Sequence, residues 1–145
     1  MYVMSMKEGA SSGVAPKGRS RGESMKVNRR HVLVVEDQAL LRFLAADMLE
    51  EGGYEASLAA DAGEALDMLE RHPDIGTIFS DVNMPGDMDG VELACVIRER
   101  RPEIGLVLTS GTRIQDLGRL PGGTMFLSKP YEWDEVYRCL ERVRH

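Results

Sequence analysis

A chain of 145 residues, 43% hydrophobic and 29% charged, has room for one ordinary soluble domain. It contains no run of 18 apolar residues to span a bilayer, and its Met-rich start lacks the continuous apolar stretch of a secretory signal, so a cytoplasmic protein without membrane contact is expected. The net charge of −6 is unevenly placed: residues 1–30 hold seven Lys/Arg against two acids, a net of +5, which leaves −11 on the remainder.

Residues 1–30 combine Gly, Ser and basic side chains without a periodic apolar pattern. Such a segment cannot bury enough surface to offset its ordering entropy, so a disordered basic tail is expected, with Met25 as an alternative start. No dense basic block or aromatic interleaving marks it as a nucleic-acid arm. Residues 31–145 then alternate short apolar runs with amphipathic segments, the pattern of βα units around a parallel sheet.

"HVLVVED" reads as a buried first strand. Leu41, Leu44, Ala45, Met48 and Leu49 follow at helical spacing until Gly52 and Gly53 stop the helix. "YEASLAA" is a second strand, and "DAGEALDMLERH" a helix in which Asp61 and Glu64 have capping-box spacing. "IGTIFSD" is the third strand, and "GVELACVIRERR" a helix with Val91, Ala94, Cys95 and Arg98 on one side. "GLVLTSG" is the fourth strand. The next stretch, "TRIQDLGRLPGG", holds Gly118, Pro121 and a Gly pair, so the fourth helix is expected to be short or irregular. "TMFLSKP" is the fifth strand. A last helix, "EWDEVYRCLERV", turns Trp133, Val136, Tyr137, Leu140 and Val143 inward. Cys95 and Cys139 lie in helix-like apolar patterns away from other metal-ligand residues and read as buried, reduced thiols. The expected fold is α/β, a doubly wound five-stranded parallel sheet.

In open parallel sheets ligands bind at the carboxyl ends of the strands. Here strand one ends on Glu36 and Asp37, strand three on Asp81, strand four on Thr109 and Ser110, and strand five on Lys129. Each signal alone has a plain reading as a turn, a cap or a solvated side chain. Together they place three acids, a hydroxyl and an ammonium on one rim. Carboxylates brought together raise each other's pKa, and a hard cation such as Mg²⁺, which takes oxygen ligands, would relieve the repulsion. An ammonium and a hydroxyl beside one free carboxylate then suit a nucleophile that attacks phosphorus.

These residues resemble the receiver domain of two-component response regulators, over residues 31–143. "LVVED" is similar to that family's Mg²⁺-binding acidic pair, which implies Asp37 as direct ligand and Glu36 acting partly through water. "SDVNMPG" resembles the phosphoacceptor loop, with Asp81 phosphorylated and Asn83 offering its backbone carbonyl to the metal. "LTSG" implies Ser110, rather than Thr109, as the hydroxyl that binds the phosphoryl group; "FLSKP" implies Lys129 as its cationic partner and a cis peptide before Pro130. Phe126 stands where the family has a switch aromatic, and also reads as an ordinary strand aromatic.

Two departures, a loop one residue longer between Pro85 and Gly90 and the eroded fourth helix, resemble single-domain alphaproteobacterial receivers. The resemblance implies a flavodoxin-like (βα)5 phosphoacceptor rather than an enzyme, catalysing only its own phosphorylation and slow dephosphorylation. Its expected partners are a sensor histidine kinase or histidine phosphotransferase and an unidentified downstream protein. With the sequence closing at His145, no DNA-binding domain is expected, and output falls to protein contact or to a phosphate shuttle or sink. The alternative is a phosphorylation-independent interaction module of the same fold. A phosphohydrolase of the haloacid-dehalogenase type would need a second Asp where Asn83 stands, and a flavin carrier a Ser/Thr/Gly-rich turn where "VVEDQALL" stands.

Overall fold

The computed structural model describes residues 27–111 and 117–143. Its strands are β1 (Asn28–Val35), β2 (Glu55–Ala59), β3 (Ile75–Asp81), β4 (Gly105–Ser110) and β5 (Met125–Ser128). All pairings are parallel, in the order β2-β1-β3-β4-β5. Among the described residues the α-helices are α1 (Ala39–Glu51), α2 (Ala62–Arg71), α3 (Gly90–Arg100) and α4 (Trp133–Val143). None is long and apolar enough to cross a membrane.

Every residue of β3 and β4 is buried, because helices cover both faces of the sheet and a doubly covered parallel strand must be apolar on both sides. Alternate side chains divide between two cores. Leu33, Ile78, Leu106 and Leu108 pack with Leu69 of α2 and Ile97 of α3, whereas Val34, Phe79 and Val107 pack with Leu49 of α1 and Leu140 of α4. This is the doubly wound α/β architecture expected from the βα alternation. The strand order reverses between β1 and β3, so the loops leaving their carboxyl ends diverge and open a crevice.

Local chemistry sets the helix starts. Asp61 caps α2 by accepting from the Glu64 N–H at 2.8 Å. Asp89 and Glu92 form a reciprocal capping box on α3. The Lys129–Pro130 peptide is cis.

Several expectations need correction. β1 starts at Asn28, three residues before His31, because Asn28 donates to the Asp74 carbonyl and Arg29 to the Val143 carbonyl. The residues read at helical spacing do form α1, but they divide: Leu41 and Leu44 are 41% and 51% exposed, and Ala45, Ala46 and Leu49 form its buried face. Cys95 is exposed, one 100° step outward from buried Ala94, while Cys139 is buried as expected. Of the stretch expected as a fourth helix, residues 112–116 lie outside the described residues, and Leu117–Arg119 form a 3-10 turn. The expected disordered tail also lies outside them, apart from its last residues at the start of β1.

Gly90 begins α3 against the end of β3, donating its N–H to the Val82 carbonyl at 2.8 Å. A Cβ there would overlap the Asp81 carbonyl oxygen and the Val82 Cα, backbone atoms that cannot rotate away. We therefore expect Gly90→Ala to lower unfolding free energy in urea by about 1–3 kcal/mol, the usual cost of overpacking. An unchanged urea midpoint would show that α3 can shift away from Asp81.

Candidate functional site

Asp81, the last residue of β3, is only 8% exposed. Its Oδ2 accepts from Lys129 Nζ at 3.1 Å, and its Oδ1 from the Asn83 backbone N–H at 3.2 Å. Lys129 is held in turn by its own N–H, which donates to the Ser110 carbonyl at 2.8 Å. The buried nucleophile candidate is thus positioned by β3, and its cation by the end of β5.

Glu36 and Asp37 follow β1, the neighbouring strand on the other side of β3. Glu36 is buried, and its Oε2 accepts from the Gln38 N–H at 3.0 Å; Asp37 is exposed. One carboxylate oxygen from each of Glu36, Asp37 and Asp81 lies within 4.8 Å of the others. Burial, chiefly, pushes the Glu36 carboxyl above the usual range; Asp81 and Asp37 push the same way, opposed by the Gln38 N–H and Lys129. With one ammonium among three carboxylates the cluster is short of positive charge. Its purely oxygen donor set fits a hard divalent cation.

Both hydroxyl candidates are at the site. Thr109 is the register partner of Asp81 and lines the cleft beside it. Ser110 Oγ accepts from Asn83 Nδ2 at 3.3 Å, so Asn83 links Ser110 to Asp81. Phe126 on β5 is half-buried and packs on the α2/α3 side of the sheet, whereas Phe79 and Val107 face the other side with the cleft's aromatic wall.

That wall was not legible as part of a site. A cleft of about 500 Å³ beside Asp81 is bounded by Leu41, Leu44, Phe79, Tyr131 and Trp133. Trp133 lies 5.7 Å from Phe79 and 6.0 Å from Tyr131, ring centre to ring centre, and these aromatics shield one side of the carboxylates from water. Burial, and then Glu36 and Asp81, push the Tyr131 phenol up to about 12, so it remains neutral. The available signal was position: Tyr131 directly follows Lys129-Pro130, and Trp133 comes two residues later.

The family model for the response regulator receiver domain matches residues 32–141. PdtaR, a transcriptional regulatory protein of Mycobacterium tuberculosis, is 35% identical over 116 residues, which are 77% of this chain and 55% of PdtaR. The chain therefore spans about half the length of that relative. Among solved structures, a response regulator receiver protein from Sinorhizobium medicae aligns with a TM-score of 0.74 at 21% identity, covering 82% of this chain and 94% of that one. TrrA from Thermotoga maritima, solved in complex with Mg²⁺-BeF, aligns with a TM-score of 0.69 at 26% identity, over 78% of this chain and 97% of that one.

The raised Glu36 carboxyl gives a stability prediction for metal-free protein. Because its folded pKa lies above the ordinary 4.5, the native state binds more protons than the unfolded chain over the interval between the two values. Stability therefore rises as pH falls through that interval, and ionised Glu36 costs stability above it. In excess EDTA at pH 7, Glu36→Gln should melt at a higher temperature than wild type, with the gap narrowing as pH falls into that interval. An equal or lower melting temperature at pH 7 would contradict this.

Proposed function

This chain belongs to the response regulator receiver domain family of two-component signalling, and on that premise we propose that it accepts a phosphoryl group onto Asp81 from a histidine kinase or histidine phosphotransferase. The observation that carries the reading is the double anchoring of Asp81: Lys129 Nζ on one oxygen and the Asn83 N–H on the other. A carboxylate so fixed at the end of a buried strand meets an incoming phosphorus atom without reorganising.

In the transfer, an Asp81 carboxylate oxygen forms the new O–P bond as the donor's N–P bond breaks, and that bonding pair leaves with the imidazole nitrogen. Lys129, already beside Asp81, follows the charge onto the phosphoryl oxygens. Ser110 supplies a hydroxyl donor, released from Asn83 as the phosphoryl group arrives. Glu36, Asp37, Asp81 and the Asn83 backbone carbonyl would hold Mg²⁺. When bound, that ion neutralises carboxylate and phosphoryl charge.

Phosphorylation adds about −1.5 to −2 charges in a site already rich in carboxylates. Drawing Ser110 toward the new group changes the packing at the β4–β5 pair, where Phe126 lies opposite Leu108. That pair is the switch element in this reading. Output is a protein contact or onward phosphoryl transfer, as in a shuttle or sink, rather than turnover of small substrates.

Intact-mass spectrometry after incubation with acetyl phosphate and Mg²⁺ tests the proposal. Wild type should gain one phosphoryl group and Asp81→Asn none, while Ser110→Ala should gain it roughly 10-fold or more slowly and Thr109→Val at close to the wild-type rate. A gain that persists in Asp81→Asn would overturn the assignment. If folded wild type gained nothing from either acetyl phosphate or a phosphorylated histidine phosphotransferase domain, the chain would be an interaction module instead.

A further inference from the structure

The amino end of the sheet, away from Asp81, holds a second set of ligating side chains that phosphoryl chemistry does not use. His31 on β1, Glu55 on β2 and Asp74 just before β3 each offer one ligand atom, and the three atoms lie within 4.8 Å of one another. The parallel register sets His31 beside Glu55, and Asp74 enters on the opposite flank of β1, where β3 begins. Two adjacent strands and the entry to a third thus deliver one ligand each. The His72 ring stands edge-on to His31 at 6.2 Å, so two of the chain's three histidines meet here.

His31 is 3% exposed and has both ring nitrogens engaged: Nδ1 lies 2.9 Å from Asp74 Oδ2, and Nε2 2.7 Å from Ser57 Oγ. This serves the fold, and it is also the arrangement that a metal-ligating histidine requires. In the metal-free protein Nδ1–H donates to Asp74, and a metal that took that proton's place would leave the ring proton on Nε2, facing Ser57 Oγ. Two lone pairs at 2.9 Å need a proton or a cation between them. Ligands of a tetrahedral zinc ion, each about 2.1 Å from the metal, stand about 3.4 Å apart. Asp74, 47% exposed, needs to retreat only about half an ångström to admit one.

The donor chemistry differs from that at the carboxyl end. Three carboxylates suit Mg²⁺, whereas imidazole nitrogen mixed with carboxylate suits zinc and its transition-metal neighbours. We infer that His31, Glu55 and Asp74, with His72 closing the fourth side, form a binding site for a zinc-class divalent ion, separate from the Asp81 site. An ion held there would tie β1, β2 and the entry to β3 together.

The test titrates Zn²⁺ into the full chain against a fluorescent zinc chelator, with Mg²⁺ in excess to occupy the oxygen-only site. Wild type and Asp81→Asn should each bind one Zn²⁺ at about 10 µM or tighter and melt higher when it is bound. Glu55 and His72 are exposed, so the Glu55→Gln/His72→Ala double variant keeps the fold while losing affinity roughly 10-fold or more; buried His31→Gln should lose it as well. No binding below about 1 mM, or wild-type affinity in the double variant, would overturn the site.

Discussion

The crowding of Glu36, Asp37 and Asp81 around a single ammonium, Lys129, is the constraint on which the rest of the structure turns. Free carboxylates would separate, and these are held together only because the backbones carrying them are fixed. β1 and β3 are adjacent, and their facing residues are locked into two cores, so their carboxyl ends cannot part. Burial on one side by Phe79, Tyr131 and Trp133 raises the cost of the charge and with it the demand for a cation. A site under that electrostatic tension responds strongly to a divalent ion or to a phosphoryl group, as a receiver domain must.

Much of this was legible in the sequence because its causes are local. Strands covered on both faces read as unbroken apolar runs, and "IGTIFSD" matches β3 residue for residue. A charged residue ending such a run reads by itself as a turn or a cap, and Glu36, Asp37, Asp81 and Lys129 stood out because they end different strands on one rim. Asp61 was legible as the cap of α2 because capping depends on neighbours in the chain.

The misreadings arose where tertiary contacts overrode local pattern. Polar Asn28, Arg29 and Arg30 form strand because Asp74, Val143 and Gly53 supply their partners. Leu41 and Leu44 have the spacing of core residues, but the helix turns them into the cleft beside Asp81, so an apolar period marked a site wall instead of a core. Cys95 was misassigned by one helical step. Trp133 read simply as a core residue of the last helix, and only the folded turn after Lys129 brings it to the site. Both ends of the sheet carry ligating groups, and only the carboxyl end announces itself by placing acids after apolar strands.

The most direct test is thermal unfolding of wild type and Asp37→Ala over a series of Mg²⁺ concentrations without phosphodonor. Asp37 is exposed, so its loss removes one carboxylate of the cluster without opening the core. Wild-type melting temperature should climb steadily with the logarithm of Mg²⁺ concentration once the site begins to fill, as mass action requires for an ion that binds only the folded state. Asp37→Ala should stay nearly flat over the same range. A flat wild-type curve, or an equal climb in both proteins, would mean that the carboxylate cluster does not hold the cation that its crowding demands.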